Sequence, residues 1–171
     1  MGMMMNEYII RRLSYRDRRL VEEYKGSFVK NGENINGGLH LQYMNFSMWY
    51  FHVLMMELPY VFHIPLPRSR IYIVLNSEQN KMIGIINIRF SIHIKKRKMN
   101  GGDIGYSVLR EERNKGIGTE ILCYALKQCK RKPAIVMCAK DNIASNKVII
   151  KVGGKIDYLD KDSKNNFYYF E

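Results

Sequence analysis

The feature that most restricts how this chain can fold is the run Arg113-Asn114-Lys115-Gly116-Ile117-Gly118-Thr119, set between a strand-like and a helix-like segment. Upstream, Asp103 to Leu109 (DIGYSVL) reads as a strand. Downstream, from about Gly116 to Lys130, Ile117, Ile121, Leu122, Ala125 and Leu126 recur on one helical face. Glycines at such a junction let the backbone approach a ligand closely, and the first turn of the helix presents unpaired N–H groups at the positive end of its dipole. That makes a seat for a pyrophosphate, to which Arg113 adds a forked donor and Lys115 a point charge. The order Gly-x-Gly lacks the third glycine of a dinucleotide fingerprint and no GxxxxGK[ST] occurs, so neither a nicotinamide fold nor a P-loop is supported.

The remaining segments supply the layers around this junction. Tyr8 to Arg12 suits a short strand, and Ser14 suits the N-cap of a helix through Arg19, Leu20, Val21 and Tyr24. Asn31 to Gly38 (NGENINGG) is a loop, and Leu39 to Leu58 a second helical segment ending near Pro59. Within it, Tyr43, Phe46, Trp49 and Tyr50 line either a pocket or, as helical spacing favours, the core. Ile71 to Leu75 and Met82 to Phe90 read as a hairpin through Asn76 to Lys81. Ala134 to Ala139 is a short strand, Ala144 to Val152 a helix, and Lys155 to Leu159 and Phe167 to Phe170 are strands. Hairpins first and strand-helix-strand units later predict a mixed sheet in an α/β (α+β) domain. At 171 residues, 46% of them apolar, residues 1–171 form a single domain.

Charge narrows the partners. A formal net charge of +12 attracts anions, nucleic acid and polyphosphate cofactors alike. The run Lys95-Lys96-Arg97-Lys98 beside Gly101-Gly102 reads as a solvated hairpin tip. The tyrosines are spread over core-like strands and no nucleic-acid-binding motif appears, which argues against nucleic acid as partner. Trp49 to Phe62, interrupted by His52 and Glu57, falls short of the ~20 apolar residues a bilayer helix needs, so no membrane association is expected. No secretory signal is visible in Met1 to Asn6, and Cys123, Cys129 and Cys138 form no CxxC pair. A reduced, cytoplasmic setting is expected, with thiols acting as small packing residues and no metal site.

The loop resembles motif A of the GNAT acetyltransferases, Arg/Gln-x-x-Gly-x-Gly/Ala, through Arg113, Gly116 and Gly118. The resemblance extends to the preceding GDIGYSV and to Asp141-Asn142-Ile143-Ala144-Ser145-Asn146 with the closing Gly153-Gly154. It looks closest to a poorly characterised bacterial branch of predicted acetyltransferases. It implies a mostly antiparallel central sheet of about six to seven strands flanked by helices. It also divides the domain into a variable acceptor-side helical region (1–68), a cofactor-binding core (69–160) and a C-terminal strand (161–171). The implied activity is transfer of the acetyl group of acetyl-CoA to a primary amine of a small molecule or peptide, by direct attack in a ternary complex. Two alternatives stay open: a GNAT-fold acyl-CoA sensor without catalysis, and a small basic nucleic-acid-binding protein.

The resemblance also implies roles. Cofactor contacts fall on Val108, Leu109, Arg113, Asn114, Lys115, Gly116, Ile117, Gly118, Thr119, Asn142 and Ser145. The backbone N–H groups of Val108 and Leu109 would polarise the thioester carbonyl. Asp103 stands where many GNAT enzymes carry a glutamate base, and His93 is a second candidate. Many members have a tyrosine seven residues after the Asn to protonate the departing thiolate; this chain has Ile149 there, so Ser145, Tyr158 or water must serve. The strand Phe167 to Phe170 either completes the sheet or pairs across a homodimer.

Overall fold

The computed structural model describes residues 3–5, 8–58, 60–61, 64–65, 68–90, 97–98, 101–130, 132–157 and 164–171, with side chains at all of these except 3–5, 60–61 and 64–65. The strands in chain order are β1 (Met3–Met5), β2 (Tyr8–Arg12), β3 (Tyr60–Val61), β4 (Ile64–Pro65), β5 (Ser69–Asn76), β6 (Met82–Arg89), β7 (Ile104–Val108), β8 (Ala134–Ala139), β9 (Lys155–Ile156) and β10 (Asn165–Phe170). The helices are α1 (Arg18–Lys30), α2 (Phe46–Glu57), α3 (Ile117–Gln128) and α4 (Ile143–Lys151). Eight strands form one sheet in the order β1-β2-β5-β6-β7-β8-β10-β9, and β3 and β4 pair separately.

The predicted mixed α/β architecture is present, antiparallel throughout the described sheet except where β7 meets β8. β5 and β6 lie at its centre. Their isoleucines and valines are buried on both faces because helices cover both sides. On one face Ile71, Ile73 and Ile85 pack with Val21, Tyr24 and Phe28 of α1 and Phe46, Trp49 and Val53 of α2. On the other, Tyr72, Val74, Ile86 and Ile88 pack with Ile121, Leu122 and Ala125 of α3 and Ile149 of α4. Each helix therefore contributes one stripe, spaced three and four residues apart. β10 lies between β8 and β9, so Phe167 to Phe170 completes the sheet and is not a free edge.

Local chemistry sets the boundaries. Ser14 and Asp17 form a capping box around the turn Tyr15–Asp17 that leads into α1, and the Asp17 carboxylate also pairs with Arg11 at 2.6 Å. The second helical segment begins at Phe46, later than the apolar pattern suggested. Leu39 and His40 have left-handed backbone (φ 46° and 65°), and Asn45 accepts the Met48 N–H at 3.0 Å as N-cap. Trp49 Nε1–H donates to the Gly38 carbonyl at 2.7 Å and ties the loop 31–45 to α2.

One buried ion pair holds the two halves of the sheet together. Asp103 is fully buried, and its carboxylate accepts Arg97 Nε–H at 2.7 Å, Arg97 Nη2–H, and the Ile135 N–H at 2.7 Å. Its own N–H donates to the Ile135 carbonyl at 2.6 Å, while its carbonyl accepts the Arg89 N–H at 2.7 Å. Arg97 is therefore buried rather than on a solvated tip, and its guanidinium is held charged above the ordinary arginine range chiefly by this hydrogen bond. Lys98 pairs with Asp157 at 2.8 Å over the Phe167 ring; Lys95 and Lys96 lie outside the described residues. Removing one partner of a buried pair strands the other charge, so Asp103→Ala is expected to lower unfolding stability by about 3–5 kcal/mol. Urea denaturation checks this; a loss under ~1 kcal/mol would mean the pair is not what joins the strands.

Candidate active site

Loop and helix put the expected anion seat at the surface. Gly116, the N-cap of α3, has left-handed backbone (φ 85°), and a Cβ placed on it would meet nothing within 4 Å. Arg113 N–H donates to Arg110, and the N–H groups of Thr119 and Glu120 fold back onto the Gly116 carbonyl. Between them, the N–H groups of Asn114, Lys115, Gly116, Ile117 and Gly118 donate to nothing among the described residues. Five consecutive unpaired donors at the positive end of a three-turn helix, the first three on exposed residues, are what a diphosphate requires. Acetyl-CoA therefore fits the residues present.

The two cations of the loop are not aimed as the sequence suggested. Arg113 turns back: Nε–H donates to the Val108 carbonyl at 3.1 Å and its outer nitrogens pair with Glu33. Lys115 pairs with Glu112 at 2.8 Å. The Lys115 pair is exposed and so weakly held, leaving the lysine free to change partner. Thr119 sits partly buried in the first turn of α3.

Beside this seat the sheet opens. β7 and β8 run parallel and are in register at Ile104↔Val136, with no pairing further along β7. Antiparallel alternation then decides which groups line the gap. Val108 faces Gly84 across β6, and the Leu109 N–H donates to the Ile83 carbonyl at 3.0 Å. Val108 is thus the wide-pair residue, whose own N–H and carbonyl turn away from β6 toward the open edge. Leu109 is corrected: its N–H is spent on β6 and its side chain is buried in the α1–α2 core.

The opposite wall comes from α4. Asn142 is its N-cap, accepting the Ser145 N–H at 3.1 Å, and Ser145 Oγ shares a 3.0 Å hydrogen bond with Tyr106 Oη across the gap. Burial pushes the Tyr106 hydroxyl up to about 12, against a smaller lowering by Ser145. Asn146, which sequence reasoning passed over, is buried; its Nδ2–H donates to the Ala139 and Asn142 carbonyls at 2.9 and 2.8 Å, and its Oδ1 accepts from Tyr168 at 2.7 Å. Ile149 is fully buried in the core, where a tyrosine hydroxyl would lack water.

Asp103 is corrected as base. Both carboxylate oxygens face Arg97 and Ile135 inside the sheet, with no exposed surface from which to take a proton. His93 and Tyr158 lie outside the described residues. On the α1–α2 face, a cavity of about 600 Å³ is lined by loop 34–43 together with Met56, Ser69, Arg89 and Gly102. His40 is on its wall, with the His52 ring 6.4 Å behind. Burial first, then the proximity of His40, holds His52 below the ordinary histidine range. Neither histidine stands in a recognisable motif, which is why the sequence did not single them out. Among the described residues no group of His, Cys, Asp and Glu is arranged to hold a metal, and no helix is long and apolar enough to cross a membrane.

Residues 40–155 match the model of the acetyltransferase (GNAT) domain. No curated protein matches the sequence. Among solved structures, an acetyltransferase from Agrobacterium tumefaciens str. C58 superposes with a TM-score of 0.63 at 16% identity over 99% of this chain and 94% of that one. An acetyltransferase from Salmonella typhimurium that modifies the N-terminal serine of 50S ribosomal subunit protein L7/L12 gives 0.63 at 15% identity over 96% and 94%. The microcin C7 self-immunity acetyltransferase, in complex with acetyl-CoA and AMP, gives 0.62 at 16% over 96% and 92%. At these identities the likeness is one of fold. With the family model spanning most of the chain, the protein belongs to the GNAT acetyltransferases; it is an acetyl-CoA-dependent acetyltransferase.

Tyr106 gives the site a pH signature. The fold favours the neutral phenol, so its contribution to stability is complete below pH 10.0, the ordinary tyrosine value, and is lost as pH rises toward about 12. Buried Tyr24, raised well above the same value by burial, acts in the same direction. Tyr106→Phe is therefore expected to flatten the alkaline loss of stability between pH 10 and 12. Chemical denaturation across that range measures it; an unaltered slope would place the phenol in contact with solvent.

Proposed function

We propose that the chain is an N-acetyltransferase acting on a primary amine of a small molecule or peptide, by direct attack with both substrates bound. The observation that carries this is the row of five unpaired N–H groups at the mouth of α3, beside the open edge of β7. Acetyl-CoA supplies an acetyl group already activated as a thioester. The N–H groups of residues 114–118 hold its diphosphate, and the amide nitrogen of Asn142 is available to the pantetheine arm. Val108 N–H points at the open edge, where it polarises the thioester carbonyl. The Tyr106–Ser145 hydroxyl pair holds a proton on the wall of the gap for the departing sulfur, taking the place of the tyrosine that Ile149 replaces. His40, on the cavity wall, receives the proton of the amine. A peptide acceptor is in keeping with the ribosomal-protein terminus modified by the Salmonella relative.

Binding tests the cofactor half. Acetyl-CoA at 100 times its Kd should stabilise the native protein by about 2.7 kcal/mol, seen as a higher Tm. Gly116→Val, which puts a β-branched residue at φ 85°, should lose most of that shift and about 1–2 kcal/mol of intrinsic stability. A full shift in that variant would dismiss the helix mouth as the anion seat. For the chemistry, His40→Gln should lower kcat at neutral pH about 100-fold, with recovery at alkaline pH as the amine loses its proton unaided. An unchanged pH–rate profile would remove His40 from the role.

A further inference from the structure

Acetyl transfer as proposed uses none of one set of polar groups that cluster on the α1–α2 face. Arg89, at the end of β6, is half-buried and pairs with no described carboxylate. Its Nη1–H groups donate to the carbonyls of Gly101 and Gly102, both at 3.0 Å. Nε–H and Nη2–H donate to nothing among the described residues. Asp103, its cross-strand neighbour, raises the Arg89 pKa through its charge alone, with no hydrogen bond between the two side chains, while burial, the larger effect, lowers it. Asp103 is already saturated by Arg97 and Ile135.

Two further polar side chains lie on the same face. Strand alternation puts Ser69, Asn87 and Arg89 on the side of Ile71 and Ile85, toward α1 and α2. Ser69 is 2% exposed and Asn87 fully buried, yet Ser69 Oγ and both amide atoms of Asn87 have no hydrogen-bond partner among the described residues. Buried polar groups are almost always satisfied, so two unmet side chains beside a half-paired guanidinium ask for a partner. Glycines clear the space: a Cβ on Gly105 would fall 3.0 Å from both Arg89 Nη2 and the Gly37 Cα. Ser69, Arg89 and Gly37 all line the cavity of about 600 Å³, large enough for an amino acid or a short peptide. Gly37 in turn lies against the backbone of Gly105 and Tyr106, on the strand whose other edge opens to the thioester.

We infer that Arg89, with Ser69, is a carboxylate-binding subsite, and that the acceptor is an amine bearing a carboxylate. The free Nε–H and Nη2–H edge of a guanidinium is a planar two-donor fork that matches the two oxygens of a carboxylate. Ser69 Oγ–H, on the same cavity wall, provides a neutral donor beside it, and Asn87 is buried behind that wall. The charge of +12 on the chain favours such an anionic acceptor over a polyamine. This rests on the acetyltransferase reading and deepens it by naming the acceptor class.

The test is a thiol-release assay on matched pairs: free amino acids against their α-amides, dipeptides against dipeptide amides, and spermidine as a carboxylate-free amine. The carboxylated member of an accepted pair should show kcat/KM about 100-fold above its amide. Arg89→Ala should collapse that ratio toward unity, and Arg89→Lys should restore part of it, since an ammonium keeps the charge without the fork. Ser69→Ala, which disturbs no existing bond, should lower the ratio several-fold and covers the case in which Arg89→Ala fails to fold. Free amino acid against dipeptide tells the two sources of carboxylate apart. Equal use of acid and amide, a preference for spermidine, or acetylation of no carboxylated amine by protein that acetyl-CoA does stabilise would each overturn the subsite. Absence of any acetyl-CoA shift would instead sink the cofactor reading, so the two failures are distinguishable.

Discussion

The site depends on two parallel strands that meet once and then part. Asp103 is the rivet at that vertex. It exchanges hydrogen bonds with the Ile135 backbone on β8, lends its carbonyl to β6, and is neutralised by Arg97. At the rivet β7 and β8 are paired; beyond it, the wide-pair residues of β7 have lost their partner strand, and their backbone groups are left without the ladder that normally satisfies them. One side of the gap is bridged by the Tyr106–Ser145 hydrogen bond, and the rest is the space proposed above for the thioester arm.

The two faces of the sheet divide the labour. α3 and α4 bring the row of unpaired N–H groups and the Ser145 side of the hydroxyl pair, both at helix beginnings, where backbone donors and caps gather. α1 and α2 bring the cavity, through a loop held by the Trp49–Gly38 and Ser107–Asn36 hydrogen bonds. β7 lies between them, so the cavity and the two helix beginnings stand on opposite sides of one strand. Two cysteines take no part in either: Cys129 and Cys138 are buried among apolar neighbours, where burial pushes the Cys138 thiol up and away from reactivity.

Much of this was legible from residue order alone. The strand-loop-helix junction at 103–130, the hairpin through Asn76, and the Asn142 helix start are local patterns, and local patterns depend on φ preferences, capping and period, all written in neighbouring residues. The family resemblance rested on those same segments. Reading went astray where a residue's role depends on a distant one. Asp103 has the look of an exposed acid at a strand start, and only the approach of Arg97 and of Ile135, far along the chain, makes it structural. Leu39 and His40 fitted a helical period that their left-handed backbone breaks. Arg97 sat in a run of four basic residues with nothing to distinguish the buried one.

The sequence by itself determined that a glycine-led helix follows a strand, and that an Asn-capped helix follows the next, because glycine conformation and side-chain capping act over a few residues. Tertiary structure alone decided which groups remain unpaired among the described residues: the Val108 rather than the Leu109 N–H on the open edge, and Ser69 Oγ and the Asn87 amide on the strands beside Arg89. The physical reason is that hydrogen-bond satisfaction belongs to pairs. Whether a donor is spent or available is set by strand register and by the far ends of the chain that come to rest beside it.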